Sequence, residues 1–231
     1  MNNRSASLFQ VSDLTINPAP RIPVAVVLDT SSSMYGLPIQ EENKGLAQFF
    51  QDVRNDETAQ FSAEVAVVSF DSDVHVLSDF VGVADYEKVP VLSAWGQTCM
   101  GEGVTKALEL LESRKSQYRS SGVDYYQPIM VLMTDGYPNG DPDLLKESQR
   151  RVREMVNSNK MTVITVGIGD GADMETLRQF SPKLPPMKLN GLDFCQFFRW
   201  LSQSVSMISH SNVGDNMTLN LSDTVNFATL M

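Results

Sequence analysis

The 231-residue chain predicts an α/β domain: a Rossmann-like, doubly wound, mostly parallel sheet with helices on both faces. Three observations carry this reading. Apolar strand-like runs alternate almost throughout with stretches of helical periodicity. The first run, residues 22–28 (IPVAVVL), is unbroken and β-branched, as in a strand buried on both faces. Polar loops follow the core strands, where open α/β sheets place their ligands.

Residues 1–20 are polar and end in Asn17-Pro18-Ala19-Pro20, which predicts a loosely held, flexible N-terminal arm. A domain over 21–208 and a C-terminal tail over 209–231 follow. Strand 22–28 stops at Asp29-Thr30-Ser31-Ser32-Ser33. Pro38 suits a first helical turn, and Ile39, Leu46, Phe49, Phe50 and Val53 recur at helical spacing, giving an amphipathic helix over about 38–54. Residues 61–70 read as the second strand and Asp71-Ser72-Asp73 as a tight turn. A turn that short makes the third strand, 74–77, antiparallel to its neighbour.

Val104, Ala107, Leu108 and Leu111 mark a helix from Gly101 to about 117. Residues 128–134 (PIMVLMT) form a core strand that ends at Asp135-Gly136. Leu144, Leu145, Val152, Met155 and Val156 mark the next helix, 161–166 the next strand, and Met174, Leu177 and Phe180 a short helix. Residues 187–189 read as an edge strand. Phe194, Phe197, Phe198, Leu201, Val205 and Ile208 give a final helix with a strong apolar stripe. Beyond 210 no element is evident, although Met217-Thr-Leu-Asn-Leu alternates as an added strand would.

Eighteen basic against 28 acidic side chains give a formal charge of −10. Phosphate neutralisation and attachment to anionic lipid both need clustered Lys and Arg, so neither nucleic acid nor membrane is an expected partner. Two cysteines, Cys99 and Cys195, cannot build a disulfide scaffold or a four-thiolate zinc site, and two histidines leave little room for imidazole catalysis. No run reaches the ~20 apolar residues of a membrane helix, and the N-terminus lacks a signal-peptide core. A soluble, cytoplasmic protein is the expectation. Gly167-Ile168-Gly169-Asp170-Gly171-Ala172 fits G-x-G-x-x-A, but on a late strand rather than at an opening βαβ unit, which argues against a dinucleotide site.

The chemistry concentrates in Asp29-x-Ser31-x-Ser33, Gly96-Gln97-Thr98 and Thr134-Asp135-Gly136. These loops offer only carboxylate and hydroxyl oxygen. That donor set suits a hard divalent cation, Mg²⁺ first, with Mn²⁺ or Ca²⁺ able to compete. Alternate residues of an extended-to-turn segment can point to one side, so Ser31 and Ser33 can share a ligand. Magnesium takes an octahedral shell of oxygens at ~2.1 Å. Hydroxyls of Ser31, Ser33 and Thr98, with Asp29 and Asp135 acting directly or through water, supply most of it.

Asp29-Thr30-Ser31-Ser32-Ser33 with Thr98 and Asp135-Gly136 resembles the metal-ion-dependent adhesion site (MIDAS) of von Willebrand factor A domains. Residues 21–24 (RIPV) through Asp29 to Met34, then Gly36-Leu37-Pro38-Ile39, resemble the bacterial TerY-like subgroup associated with tellurium resistance. The resemblance covers about residues 21–208. It implies a six-stranded sheet ordered 3-2-1-4-5-6 with strand 3 antiparallel. It also implies that Ser31, Ser33 and Thr98 contact the ion, that Asp29 and Asp135 hold it directly or through waters, and that a partner protein's Asp or Glu completes the shell. Some members switch affinity by moving the last helix. The subgroup implies a bacterial stress-response or signalling assembly alongside kinase and phosphatase proteins. One departure stands out: the family often has two glycines before the threonine, whereas Gln97 follows Gly96 here.

The expected function is therefore metal-dependent protein binding rather than catalysis. The alternatives are a structural domain with an inactive site and an Mg²⁺-dependent phosphatase of the haloacid-dehalogenase type. The phosphatase would need a second acid where the chain has Ser31. Tyr35, Trp95 and Tyr137 border the site loops as candidate partner anchors or packing residues. Asp71 and Asp73 read as a solvated turn, Cys99 as a small buried side chain.

Overall fold

The computed structural model describes residue 14, residues 16–215 and residues 219–231. One sheet contains β1 (Ile22–Asp29), β2 (Ala63–Phe70), β3 (Val74–Gly82), β4 (Ile129–Thr134), β5 (Thr162–Gly167), β6 (Met187–Leu189) and β7 (Ala228–Leu230). It is seven-stranded, in the order β3-β2-β1-β4-β5-β6-β7. The central pairs β2–β1–β4–β5–β6 are parallel, while β3 and β7 run antiparallel on β2 and β6. The longer helices among the described residues are α1 (Leu37–Asn55), α2 (Met100–Ser121), α3 (Pro142–Asn157), α4 (Met174–Phe180) and α5 (Phe194–Ser209). None of the described helices is long and apolar enough to cross a membrane.

The unbroken apolar character of β1 follows from its two covered faces. Val24, Val26 and Leu28 point into one core with Leu46, Phe49, Phe50 and Val53 of α1 and Phe194, Phe198, Leu201 and Val205 of α5. Ala25 and Val27 point into the other, with Val104, Leu108 and Leu111 of α2, Val152 and Val156 of α3, and Leu177 and Phe180 of α4. This alternation is the period-2 signature of a strand; it looks unbroken in the sequence because both sets are apolar.

The fold differs from the expectation at several places. The sheet has seven strands, not six. The seventh, Ala228–Leu230, is too short to show periodicity, and its register is fixed by Met187↔Leu230 and Leu189↔Ala228. Of the alternating segment at 217–221, Met217 and Thr218 lie outside the described residues, and Leu219 to Leu221 are not strand. The second strand starts at Ala63 because Ala59–Ser62 form a helical turn that leaves Phe61 exposed. The third runs on to Gly82, its mostly exposed edge having hidden the pattern. Of the expected arm, residues 1–13 and 15 lie outside the described residues. Arg21 binds the carbonyls of Asn17 and Ala19.

At the end of the sheet where β1 and β2 begin, a buried acid is fully matched. Glu64 accepts from Arg21 Nε at 3.0 Å, from Arg114 Nε at 2.6 Å and Nη2 at 2.8 Å, and from the Tyr118 hydroxyl. Two guanidinium groups and a phenol leave that carboxylate no unsatisfied oxygen, which is the condition for burying charge.

On one face α1 and α5 meet closely at Gly45. A Cβ there would lie 2.6 Å from Phe198 Cδ2 and 3.0 Å from Phe194 Cβ. Alanine favours a helix over glycine by about 1 kcal/mol, but forcing volume into a packed interface costs about 1–3 kcal/mol. Gly45→Ala is therefore expected to lower stability by about 1 kcal/mol in urea denaturation with an unchanged m-value; a stabilised variant would show that the two helices are free to part.

Candidate metal site

Strand order reverses on either side of the β1–β4 pair. From β1 the chain crosses through α1 to β2, and from β3 it crosses through α2 to β4 on the other side. The loops leaving β1 and β4 thus diverge to opposite faces and open a crevice at their carboxyl ends, the usual ligand position of such sheets. Asp29 is the last residue of β1, Thr134 the last of β4, and Asp135 follows it.

Asp29 is fully buried. Its Oδ1 accepts from the Ser31 amide at 2.8 Å, and its Oδ2 accepts from the Thr134 hydroxyl. The first bond turns the chain out of the strand. A 3₁₀ turn, Ser32–Met34, follows and brings Ser33 back over Ser31. Their hydroxyl oxygens are 3.0 Å apart, and Ser33 donates to Asp135 Oδ1 at 2.7 Å. Ser31, Ser33 and Asp135 therefore form a continuous polar line across the crevice, with Asp29 beneath.

Thr98 is brought to the same end by its loop. Trp95 N–H donates to Thr30 O at 2.7 Å, and Ser32 N–H to Gly96 O at 3.1 Å. The Thr98 amide donates to Asn139 Oδ1 at 2.6 Å, and Asn139 N–H returns a bond to Thr98 O at 3.0 Å. Gly96 is required: its φ is +73°, and a Cβ would lie 2.5 Å from Ser72 Oγ. Gln97 has no positive φ, so the departure from a glycine pair leaves the backbone unstrained.

Burial dominates the electrostatics. It pushes the Asp29 carboxyl up to about 6, against the lowering by hydrogen bonds from Thr134 and Ser31. Asp135 is also raised by burial, opposed by the bond from Ser33. Sequence reasoning did not single out Glu42. It lies in the buried stripe of α1 between Ile39 and Leu46, is fully buried, and neither carboxyl oxygen has a partner among the described residues. Burial holds it well above the ordinary carboxylate range, with Asp29 and Asp135 adding to the shift. An unsatisfied buried carboxyl costs about 1–3 kcal/mol even when neutral. The available signal was an acid at a core-facing position of an otherwise apolar stripe.

Among the described residues no group of three or more His, Cys, Asp or Glu side chains could by itself hold a metal. The donor set is instead mixed: three hydroxyls and two carboxylates, all hard oxygen, beside an inner acid with no donor. That set fits a Mg²⁺-like ion and poorly fits a soft metal. Tyr35, Trp95 and Tyr137 are exposed at 79%, 74% and 69%, so none of the three packs down on its loop. Asp71 is buried rather than solvated, its Oδ1 accepting from Asp73 N–H at 2.9 Å to close the turn. Cys99 is half-buried, its thiol pushed up by burial.

The chain belongs to the von Willebrand factor type A domain family, whose profile matches residues 24–186. Inter-alpha-trypsin inhibitor heavy chain H2 of Mus musculus is 24% identical over 177 residues, covering 72% of this chain but only 17% of that protein. Among solved structures, a von Willebrand factor type A protein from Catenulispora acidiphila superposes with a TM-score of 0.60 at 18% identity, over 81% of this chain and 43% of that one. Proximal thread matrix protein 1 of the mussel byssus, solved with a zinc-occupied MIDAS motif, gives a TM-score of 0.51 at 21% identity, over 84% of this chain and 47% of that one. At these identities the solved structures are alike in fold.

The raised Asp29 carboxyl has a measurable consequence. In the folded chain it titrates at about 6 rather than 3.8, so the folded state holds the proton more tightly between those values. The associated stability is present below pH 4 and lost as pH rises through about 6. Metal-free wild type is expected to lose up to about 3 kcal/mol relative to Asp29→Asn across that window. Chemical denaturation at a series of pH values checks this; a pH-independent difference contradicts it.

Proposed function

We propose that the domain is a metal-dependent protein-binding module. In this reading Asp29, Ser31, Ser33, Thr98 and Asp135 hold a divalent cation, Mg²⁺ first, with Mn²⁺ or Ca²⁺ as substitutes. When bound, the cation supplies an electrophilic position for the carboxylate of an Asp or Glu from a partner protein. The observation that carries the proposal is the line Ser31–Ser33–Asp135, which joins loops 102 residues apart over a buried Asp29. The zinc-occupied motif of the mussel byssus protein lends support for a divalent ion at such a site.

Each residue has a distinct task. Ser31, Ser33 and Thr98 offer neutral oxygens, which leave positive charge unspent for an outside acid. Asp29 braces the loop through the Ser31 amide, and Thr134 keeps its second oxygen oriented. The exposed rings of Tyr35, Trp95 and Tyr137 provide rigid apolar area around the crevice, the kind of anchor that concentrates binding energy at interfaces. Binding is favoured over phosphoryl transfer because Ser31, two residues after Asp29, cannot act as a general acid in the way a carboxylic acid would. The TerY-like resemblance around residues 21–39 supports a bacterial stress-response or signalling assembly with kinase and phosphatase proteins, for which we propose a cytoplasmic setting.

Thermal melts with Mg²⁺ or Mn²⁺ test the ion. At a hundredfold excess over Kd the wild type gains about 2.7 kcal/mol, a shift of several degrees, and Asp29→Ala gains nothing. Equal shifts in both proteins would remove Asp29 from the site. Pull-down with and without chelator tests the partner step. Captured protein is expected to be lost with chelator and to fall at least about tenfold with Thr98→Ala or Asp135→Ala. Capture that survives chelator unchanged places the binding surface elsewhere.

A further inference from the structure

Asp29, Ser31, Ser33 and Asp135 stand at or just beyond the carboxyl ends of β1 and β4. Thr98 has no strand to place it. It lies near the end of 86–99, a segment with neither helix nor strand that leads into α2. Hydrogen bonds set its position instead. Gln97 N–H donates to Ser72 Oγ at 3.1 Å, Thr98 N–H to Asn139 Oδ1 at 2.6 Å and Cys99 N–H to Asp71 O at 3.0 Å. The first and last tie the segment to the turn after β2. The middle one crosses to the loop between β4 and α3, the same loop that carries Asp135. Asn139 N–H donates back to Thr98 O at 3.0 Å, so Asn139 grips both polar atoms of the Thr98 backbone. That loop is braced again from α2: Asp141 N–H donates to Glu102 Oε1 at 2.8 Å, and a Cβ at Gly140 would lie 2.6 Å from either Glu102 oxygen. Asn139 is itself exposed, so its side chain does not fill a core.

We infer that Asn139 is a positioning residue of the metal site: its side-chain oxygen holds the Thr98 backbone in register with Asp135, so that hydroxyl and carboxylate serve one ion. The inference rests on the metal-binding reading above and deepens it. A neutral hydroxyl is drawn to a cation far less than a carboxylate is, so it contributes as a ligand when its backbone already stands in place. Groups that orient ligands from behind govern metal affinity for this reason. Asn139 shares its loop with Asp135 and its hydrogen bonds with Thr98, which makes it the link between two ligands from distant parts of the chain.

Two measurements on Asn139→Ala and Asn139→Asp test the link. Ala removes the acceptor; Asp keeps an oxygen at the same reach. Exchange of the Thr98 amide proton, followed by nuclear magnetic resonance in the metal-free proteins, reports the bond. The electron paramagnetic resonance signal of free Mn²⁺ reports affinity. Asn139→Ala is expected to speed Thr98 exchange about tenfold and to weaken Mn²⁺ binding about tenfold. Asn139→Asp is expected to keep slow exchange and to bind within about threefold of wild type. Metal-free melts close to that of wild type guard against loss of fold as the cause. Wild-type exchange or wild-type Mn²⁺ affinity in the Ala variant overturns the inference and leaves the metal site standing. So does an Asp variant that exchanges slowly yet has lost Mn²⁺, or one that binds normally while Thr98 exchanges fast; this variant also carries the test if Ala does not fold. Failure of wild type itself to bind Mn²⁺ overturns both readings at once.

Discussion

Asp29 ends a strand that is hydrogen-bonded along both edges and covered on both faces, so its carboxyl group is delivered to a place that water does not reach. Most features of the polar end follow from that placement. An acid carried so deep is costly without donors, and the Ser31 amide and the Thr134 hydroxyl meet it. Meeting them fixes the exit of the chain from β1, and that exit aims the hydroxyls of Ser31 and Ser33 toward Asp135. A strand at the rim of the sheet would have left the same motif loose and hydrated.

The protein thus holds two kinds of buried acid. One kind is neutralised by side chains and serves cohesion, as Glu64 does between two guanidinium groups. The other is left short of positive charge, as Glu42 and Asp29 are, and lowers the stability of the metal-free chain. A buried carboxyl without enough donors costs free energy even when protonated. The architecture itself is maintained by the two apolar cores.

Much of this was legible in the residues. Residues 22–28 had to be a central strand because only a strand covered twice can be apolar at every position, and the tight turn at 71–73 forced β3 to run backwards. The oxygen-rich loops after β1 and β4 stood out because polar residues abruptly follow apolar runs. Glu42 escaped because helical periodicity is read from apolar residues, and an acid inside the stripe looks like a gap in the pattern. In the sequence Thr134 reads only as part of the loop after β4, because its bond to Asp29 depends on two strands meeting. β7 escaped because three residues cannot display a period, and its pairing depends on contacts far away in the chain. The exposure of Tyr35, Trp95 and Tyr137 depends on loop conformation, which composition does not specify.

The far edge of the sheet is tied to the last helix. Phe197 and Trp200 of α5 pack around Phe227 with ring centroids 6.4 and 6.3 Å away, and the Trp200 indole N–H donates to Asn220 O at 2.8 Å. Phe227 leads directly into β7. A piston stroke of α5 along its axis would have to wrench this aromatic clasp or drag the outermost strand with it.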